Sequence, residues 1–322
     1  MKKALVTGGA GFIGLQLSKK LHESGCSVNI IDNFSRGVKD NELDAFIALD
    51  TVNVYDNELV NNPDLSGLGN SYDYIFHLAA IIGVSNVLKN PYHVLADNTM
   101  MLINMLEFAK RQSHLKRFIF TSTSEIYSGT LQHFTLPIPT PETTPLAITN
   151  LKQPRSSYML SKIYGEALCH HSGLPFTIIR PHNIYGPRMG MAHVIPELLK
   201  KAHELPDGGE LDVFSVKHSR TFCFIDDGVE MIVKSAEAPA CEGEALNVGN
   251  QEPELPIRDV AQIVIDTVGK SLTIKAQPET PGSPSRRCPD MTKTGKLLGK
   301  TASVSIKQGI QKTYEWYEKN VF

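Results

Sequence analysis

The sequence predicts an α/β fold, a doubly wound parallel sheet followed by a smaller C-terminal α/β domain. Three observations carry that expectation. Short apolar runs recur through the first half, at 4–7 (ALVT), 27–32 (SVNIID), 72–80 (YDYIFHLAA), 116–123 (KRFIFTST) and 176–181 (FTIIRP). Helical patterns near 12–24, 91–111 and 154–172 fall between them. The runs are continuous rather than alternating, as in a parallel sheet covered on both faces. After Pro181 the alternation weakens, and helical patterns near 193–204, 226–236, 257–269 and 305–319 are joined by loops and short strands. The expected division is therefore residues 1–180 and 181–322, with parts of the second unit free to return to the main sheet. The stretch 131–154 is rich in Pro and Thr and has no period, so it reads as a long loop of a kind that often carries function.

Composition narrows the class. A chain of 322 residues can bury a sizeable core, and 41% hydrophobic with 20% charged residues is ordinary for a globular protein. A formal net charge of −2 offers no basic field to nucleic acid, so anion binding must fall to individual arginines. The five cysteines, Cys26, Cys169, Cys223, Cys241 and Cys288, are dispersed without a C-x-x-C pair. That favours reduced thiols in the cytoplasm over a disulfide framework or a metal site. The apolar run after Met1-Lys2-Lys3 is too short for a signal peptide, and no stretch approaches the ~20 apolar residues of a membrane span.

The first run leads directly into Gly8-Gly9-Ala10-Gly11-Phe12-Ile13-Gly14. This satisfies G-x-G-x-x-G from Gly9 and G-x-x-G-x-x-G from Gly8. The glycines permit a tight turn and let backbone N–H groups approach a pyrophosphate at the start of a helix, as in a Rossmann dinucleotide site. The second run ends in Asp32. A carboxylate there accepts hydrogen bonds from adenosine ribose hydroxyls and repels a 2′-phosphate, which favours NAD over NADP. Arg36, close by in sequence, softens that preference.

Tyr158 and Lys162 form Y-x-x-x-K within a helical pattern. Residues at i and i+4 share a helix face, and an ammonium beside a phenol lowers the phenol's pKa. The expectation is a tyrosine base usable near neutral pH, with a lysine that also holds the nicotinamide ribose.

With these motifs in hand, the chain resembles the extended short-chain dehydrogenase/reductase family, the nucleotide-sugar epimerases, dehydratases and decarboxylases. The resemblance runs through TGGAGFIG (7–14), IIDN (30–33), HLAA (77–80), TSTSEIY (121–127), SSYMLSK (156–162), RPHNIYGPR (180–188), RTFCFIDD (220–227), LNVGN (246–250) and PDMTKTGKLLG (289–299). It implies a nucleotide-diphosphate sugar substrate and NAD as cofactor. It implies cofactor contacts from Gly8, Gly11, Phe12, Ile13 and Gly14, from Asp32 and Asn33, and from Asn53 and Val54. Leu78, Ala79, Ala80, Asn98 and Pro181 complete that set with Tyr158 and Lys162. On the substrate side it implies Ser85, Thr123, Asn183, Arg188 and Val194, with Arg220 and the pair Arg286–Arg287 at positions where family members grip the diphosphate. Thr123 takes the family's position for a hydroxyl bonded to the sugar O4. It also implies a homodimer that pairs the helices near 91–111 and 154–172 into a four-helix bundle.

The chemistry implied is a cycle in one site. Tyr158 takes the C4 hydroxyl proton while NAD takes the C4 hydride, which leaves a 4-keto sugar. An epimerase then returns the hydride to the other face. A 4,6-dehydratase eliminates water across C5 and C6, and a decarboxylase loses the C6 carboxylate. Thr123-Ser124-Glu125 is similar to the triplet of the dehydratases and glucuronate decarboxylases, where a carboxylate abstracts the C5 proton or assists elimination. A purely structural hydrogen bond is the other reading of Glu125, since some epimerases carry the same acid. Arg287 and the run Asn183–Met189 are similar to the decarboxylase pattern and lean toward uronic acids. Four positions depart from the family pattern: Asn53 for an aspartate, Met101 and Ser128 for glycines, and Thr280 before Pro281-Gly282. Two other readings stand beside this one. They are a reductase of another small carbonyl compound that consumes NADPH, and a dinucleotide sensor without catalysis. Asp32 and the arginines weigh against the first, and the presence of both Tyr158 and Lys162 weighs against the second.

Overall fold

A computed structural model describes residues 1–280 and 283–322; Pro281 and Gly282, noted above, lie outside the described residues. β1 (Lys2–Thr7) leads through the glycine turn into α1 (Phe12–Glu23). β2 (Cys26–Asp32), α2 (Asn41–Ile47) and β3 (Val52–Asp56) follow. Then come β4 (Tyr74–His77), α3 (Val84–Lys89), α4 (Pro91–Lys110) and β5 (Arg117–Thr121). α5 (Ser128–His133), α6 (Ser156–His170) and β6 (Phe176–Pro181) close the first half. The second half holds β7 (Ile184–Tyr185), α7 (Val194–Glu204), β8 (Glu210–Phe214), β9 (Ser219–Arg220), β10 (Cys223–Phe224) and α8 (Ile225–Glu237). It ends with β11 (Ala245–Val248), β12 (Leu255–Pro256), α9 (Ile257–Val268), β13 (Thr273–Gln277), β14 (Arg286–Arg287), α10 (Thr292–Leu298) and α11 (Ile306–Asn320).

The main sheet has seven strands in the order β11-β6-β5-β4-β1-β2-β3, and every neighbouring pair is parallel. This is the doubly wound dinucleotide order, with its switch point between β1 and β4. Side chains alternate between the two faces, as the pleat requires. Ala4 and Val6 of β1 join the core under α1 and α8, whereas Leu5 joins the core under α4 and α6. Phe118 and Phe120 of β5 point to the second core, and Ile119 to the first. Both faces are buried, which is why the strands read as apolar runs.

Sequence signals fix several ends. Pro91 occupies the first turn of α4, where its missing N–H costs nothing. Ser305 and Gln308 form a reciprocal capping box at the start of α11. Gly269 ends α9 with a left-handed φ of +73°.

Two features differ from the expectation, and a third is the return to the main sheet that it allowed for. β3 was not among the expected strands; it is an edge strand with few fully buried residues. α5 extends to His133, so the first residues of 131–154 are helical, and Thr140 bridges to Pro289. β11, from the second half, pairs with β6 and completes the sheet. No helix among the described residues is long and apolar enough to cross a membrane.

α6 lies against β5 at Gly165, where an added Cβ would meet Phe120 Cζ at 2.2 Å and Leu102 Cδ2 at 3.1 Å. Gly165→Ala should therefore destabilise the fold by about 1–3 kcal/mol through overpacking. Chemical denaturation measures this; an unchanged midpoint would mean that Phe120 moves aside freely.

Candidate active site

The site lies at the C-terminal ends of β1, β2, β4, β5 and β6. Gly8 has φ of +71°, and a Cβ there would press on Ala79 N at 2.9 Å. A Cβ at Gly14 would meet Gly8 O at 2.1 Å, so this helix start can form only with glycine. α1 begins at Phe12 without a side-chain cap at Gly11. Its first-turn N–H groups are left to an anion, and the cradle fits a dinucleotide pyrophosphate. Asp32 is buried; its Oδ2 accepts from Ala10 N at 3.0 Å and its Oδ1 from Phe34 N at 2.9 Å. Each oxygen keeps capacity for a ribose hydroxyl.

The remaining expected cofactor positions line the same edge in different ways. Leu78 N donates to Thr7 O, and Ala79 N to Thr7 Oγ1. Ala80 follows in the same half-buried segment, and Pro181 ends β6. Val54 is half-buried on β3. Asn33 donates to Glu58, and Asn53 donates to Asn29 across the strand pair. Asn98 is engaged within the protein: Oδ1 accepts from Ile81 N at 2.7 Å, and Nδ2 reaches Ile81 O and Ser161 Oγ. It pins the segment after β4 to α6.

Thr123, Glu125, Tyr158 and Lys162 come together between the end of β5 and α6. Thr123 Oγ1 accepts from Glu125 N at 3.2 Å and so starts the short turn Ser124–Tyr127. Lys162 donates to Thr121 O at 2.8 Å and lies 5.8 Å from the Tyr158 ring centre. Here the pKa expectation is corrected. Burial raises the Tyr158 phenol, and the Glu125 charge raises it further; Thr123 and Arg36 act in the opposite direction without overcoming this. Lys162 is not among the groups that act on the phenol, and burial lowers its own pKa to about 8. Without cofactor, Tyr158 is a protonated phenol at neutral pH. Arg36, exposed on the loop after β2, also bears on Tyr158 through its charge.

The arginines divide. Arg287 is held down by burial, is drawn toward its charged form by Glu125, and is opposed by Arg155. Arg155, one turn before Tyr158, was not singled out from sequence; a basic residue at that spacing was the available signal. Arg220 does not reach outward. It donates to Ser219 O at 2.7 Å, Ser283 Oγ at 2.9 Å and Pro284 O at 2.6 Å, and so braces the segment that carries Arg287. Burial, with help from Arg287, lowers Arg220 to about 10. Arg286 pairs with Glu254. Arg188 is buried and bonded to Asp40, Ala10 and Val38, not turned to the sugar side. Asn183 donates to Thr221 O at 2.9 Å, and Ser85 and Val194 are exposed at helix starts.

A cavity of about 20 Å³ is bordered by Ser124, Tyr127, Leu136, Thr140, His182 and Arg287. The proline-rich stretch thus forms a wall beside the Ser124–Tyr127 turn. No group of three or more metal-ligating side chains occurs among the described residues.

Comparisons with known proteins identify the family. The model of the NAD dependent epimerase/dehydratase family matches residues 4–249. The chain is 32% identical to a UDP-N-acetyl-alpha-D-glucosaminuronate decarboxylase of Bacillus cytotoxicus, covering 99% of this chain and 98% of that one. It is 30% identical to UDP-glucuronic acid decarboxylase 1 of Xenopus tropicalis, over 99% of this chain and 73% of the relative. Among solved structures it is similar to a UDP-glucuronic acid 4-epimerase of Bacillus cereus in complex with UDP-glucuronic acid and NAD. That match has a TM-score of 0.84 and 28% identity, over 98% of this chain and 99% of the other.

Burial of Lys162 makes a testable claim about stability. The folded state binds this proton less tightly than the unfolded chain, so ligand-free stability rises as pH climbs from about 8 toward 10.5. Lys162→Met should stabilise the ligand-free protein at neutral pH by up to about 3 kcal/mol while abolishing activity, and the gain should vanish at alkaline pH. A melting temperature that falls at neutral pH contradicts this.

Proposed function

The chain belongs to the NAD-dependent epimerase/dehydratase family, and from that premise we propose that it decarboxylates a nucleotide-linked uronic acid through a transient 4-ketone. The observation that supports the reading is Glu125, which bears on both Tyr158 and Arg287, with Arg287 also bordering the cavity beside the Ser124–Tyr127 turn. The Arg287 guanidinium suits a sugar carboxylate, which it can bind bidentately, and Arg155, exposed at the start of α6, adds positive charge nearby.

The glycine turn, Asp32, Tyr158 and Lys162 hold NAD, which when bound supplies first the acceptor and then the donor of the C4 hydrogen. Its positive nicotinamide also draws the Tyr158 phenol toward ionisation. Tyr158 takes the C4 hydroxyl proton, with Thr123 hydrogen-bonded to the same oxygen. Arg287 and Arg155 orient the C6 carboxylate. Its C–C bond electrons flow into the C4 ketone as carbon dioxide leaves. Glu125 raises the affinity of Tyr158 for its proton, which keeps the tyrosine a donor to the enolate oxygen. C5 then takes a proton that comes from water as the enol oxygen returns its own to Tyr158, and the C4 ketone is reduced with Tyr158 giving that proton to the oxygen.

In this reading residues 1–180 mainly hold the cofactor and residues 181–322 mainly hold the nucleotide sugar, with β11 the exception. We place the protein in the cytoplasm, on the support of five unpaired, buried cysteines. We also propose a homodimer. α4 and α6 pack side by side and leave Tyr92, Met100 and Tyr164 exposed, which suits a four-helix bundle with a second copy.

Incubation with UDP-glucuronic acid and its 2-acetamido analogue, read by mass, tests the reaction. Loss of one carbon dioxide supports it; an unchanged mass with altered mobility makes the chain an epimerase, and loss of water makes it a dehydratase. Glu125→Gln should lower kcat by roughly 10²-fold or more. It should also move the tyrosine limb of the pH profile to lower pH, because a raising charge is gone. An unchanged rate and profile would leave Glu125 a structural role only.

A further inference from the structure

Arg188 adopts φ of +69°, and Asn183, at the start of the same run, adopts +42°. Non-glycine residues rarely hold this conformation unless their surroundings fix it. Here the guanidinium does so. Nε donates to Asp40 Oδ2 at 2.7 Å, Nη1 to Ala10 O at 2.9 Å, and Nη2 to Val38 O at 2.6 Å. The three acceptors lie in different directions, and together they close a ring around the cofactor end of the sheet. Ala10 N donates to Asp32, Val38 N donates to Ala10 O, and Asp40 caps α2 through Leu43 N. At Gly37 an added Cβ would meet Ala10 Cβ at 2.7 Å and Asp32 Oδ1 at 2.8 Å, so the loop is pressed onto the turn.

Beyond Phe34, which packs against the core, the loop's other ties are at its surface, among them Asn33 to Glu58 and Lys39 to Asp56. None of residues 33–39 is buried. A buried guanidinium, paired with the half-buried Asp40, therefore ties this loop to the glycine turn through a rigid fork. A loop already in its bound place adds no ordering cost to ligand binding; a loop released from that place reduces apparent affinity by the fraction of time it is out of position.

We propose that Arg188, acting through Asp40, Ala10 and Val38, is a positioning residue for NAD that clamps loop 33–40 against the glycine turn and sets how tightly the adenosine half of the cofactor is held. The second half of the chain thereby controls cofactor retention from a residue that reads in sequence as a sugar-phosphate contact. The inference rests on the family's cofactor and is independent of the decarboxylase reading.

The test uses Arg188→Lys and Asp40→Asn in the full chain, stripped of NAD and titrated with NAD, ADP and UDP. Trp316 is a built-in reporter, because it donates to Glu42 of α2 at 3.2 Å. Each variant should weaken NAD and ADP by roughly tenfold or more and leave UDP nearly unchanged, and the double variant should be no weaker than the worse single one. A compact ammonium does not reproduce the spacing of the planar guanidinium fork, so lysine should rescue only part of the affinity. Unchanged NAD affinity in folded Asp40→Asn overturns the proposal, as does equal weakening of NAD and UDP. If Arg188→Lys fails to fold, Asp40→Asn alone decides, since it removes the ion pair and keeps the arginine.

Discussion

The Arg180–Glu166 ion pair joins the parts of the site that must not move. Arg180, on β6, donates to both oxygens of Glu166, at 3.0 and 2.7 Å. Glu166 sits one turn beyond Lys162 on α6, and it also accepts from Ser122 at 2.5 Å. Ser122 precedes Thr123. The other end of Arg180 donates to Tyr127 Oη at 2.8 Å and to Glu142 O at 2.9 Å. One buried pair thus sets the Tyr158–Lys162 helix, the Thr123–Glu125 turn and the proline-rich stretch against each other. Pairs of this kind add little net stability, but removing one partner strands a buried charge and is severe. Their use is to hold one arrangement, and proton transfer to a sugar oxygen needs one arrangement.

Asn247 extends the same lattice across the two halves. Its Nδ2 donates to Thr140 O and Asp290 O, its Oδ1 meets His182 Nε2 at 3.0 Å, and its backbone N donates to Glu142. It lies on β11, the strand that returns to the main sheet. The wall of the cavity beside Arg287 is therefore tied to the sheet and does not hang from a free loop. Burial holds His182 neutral, with a pKa of about 3, so the wall keeps one charge state through the physiological range.

Legibility in the sequence followed locality. The glycine turn, Asp32 and the Tyr158–Lys162 pair are each contained in one short segment, and their chemistry could be read from spacing. The strands of the sheet centre were readable because burial on both faces makes continuous apolar runs. β3 was not, since an edge strand mixes polar residues into the run. α5 and α10 are too short to declare a period. The arginines failed for a different reason. Arg188, Arg220 and Arg287 look alike in sequence, and only contacts with remote segments, Asp40 for the first and Ser283–Ser285 for the second, separate a clamp and a brace from a substrate contact. The phenol's pKa was misjudged because the i+4 lysine was weighed and the burial of both groups was not.

The central claim is a closed redox cycle on one NAD with loss of the C6 carboxylate between its two halves. A UDP-uronic acid with deuterium at C4 tests it most directly, with the product read by mass and NMR. The account predicts a decarboxylated sugar nucleotide that retains deuterium at C4, returned by the same cofactor molecule. A decarboxylated product with C4 hydrogen from solvent or from the free cofactor pool, or a product that keeps its carboxylate, would contradict it.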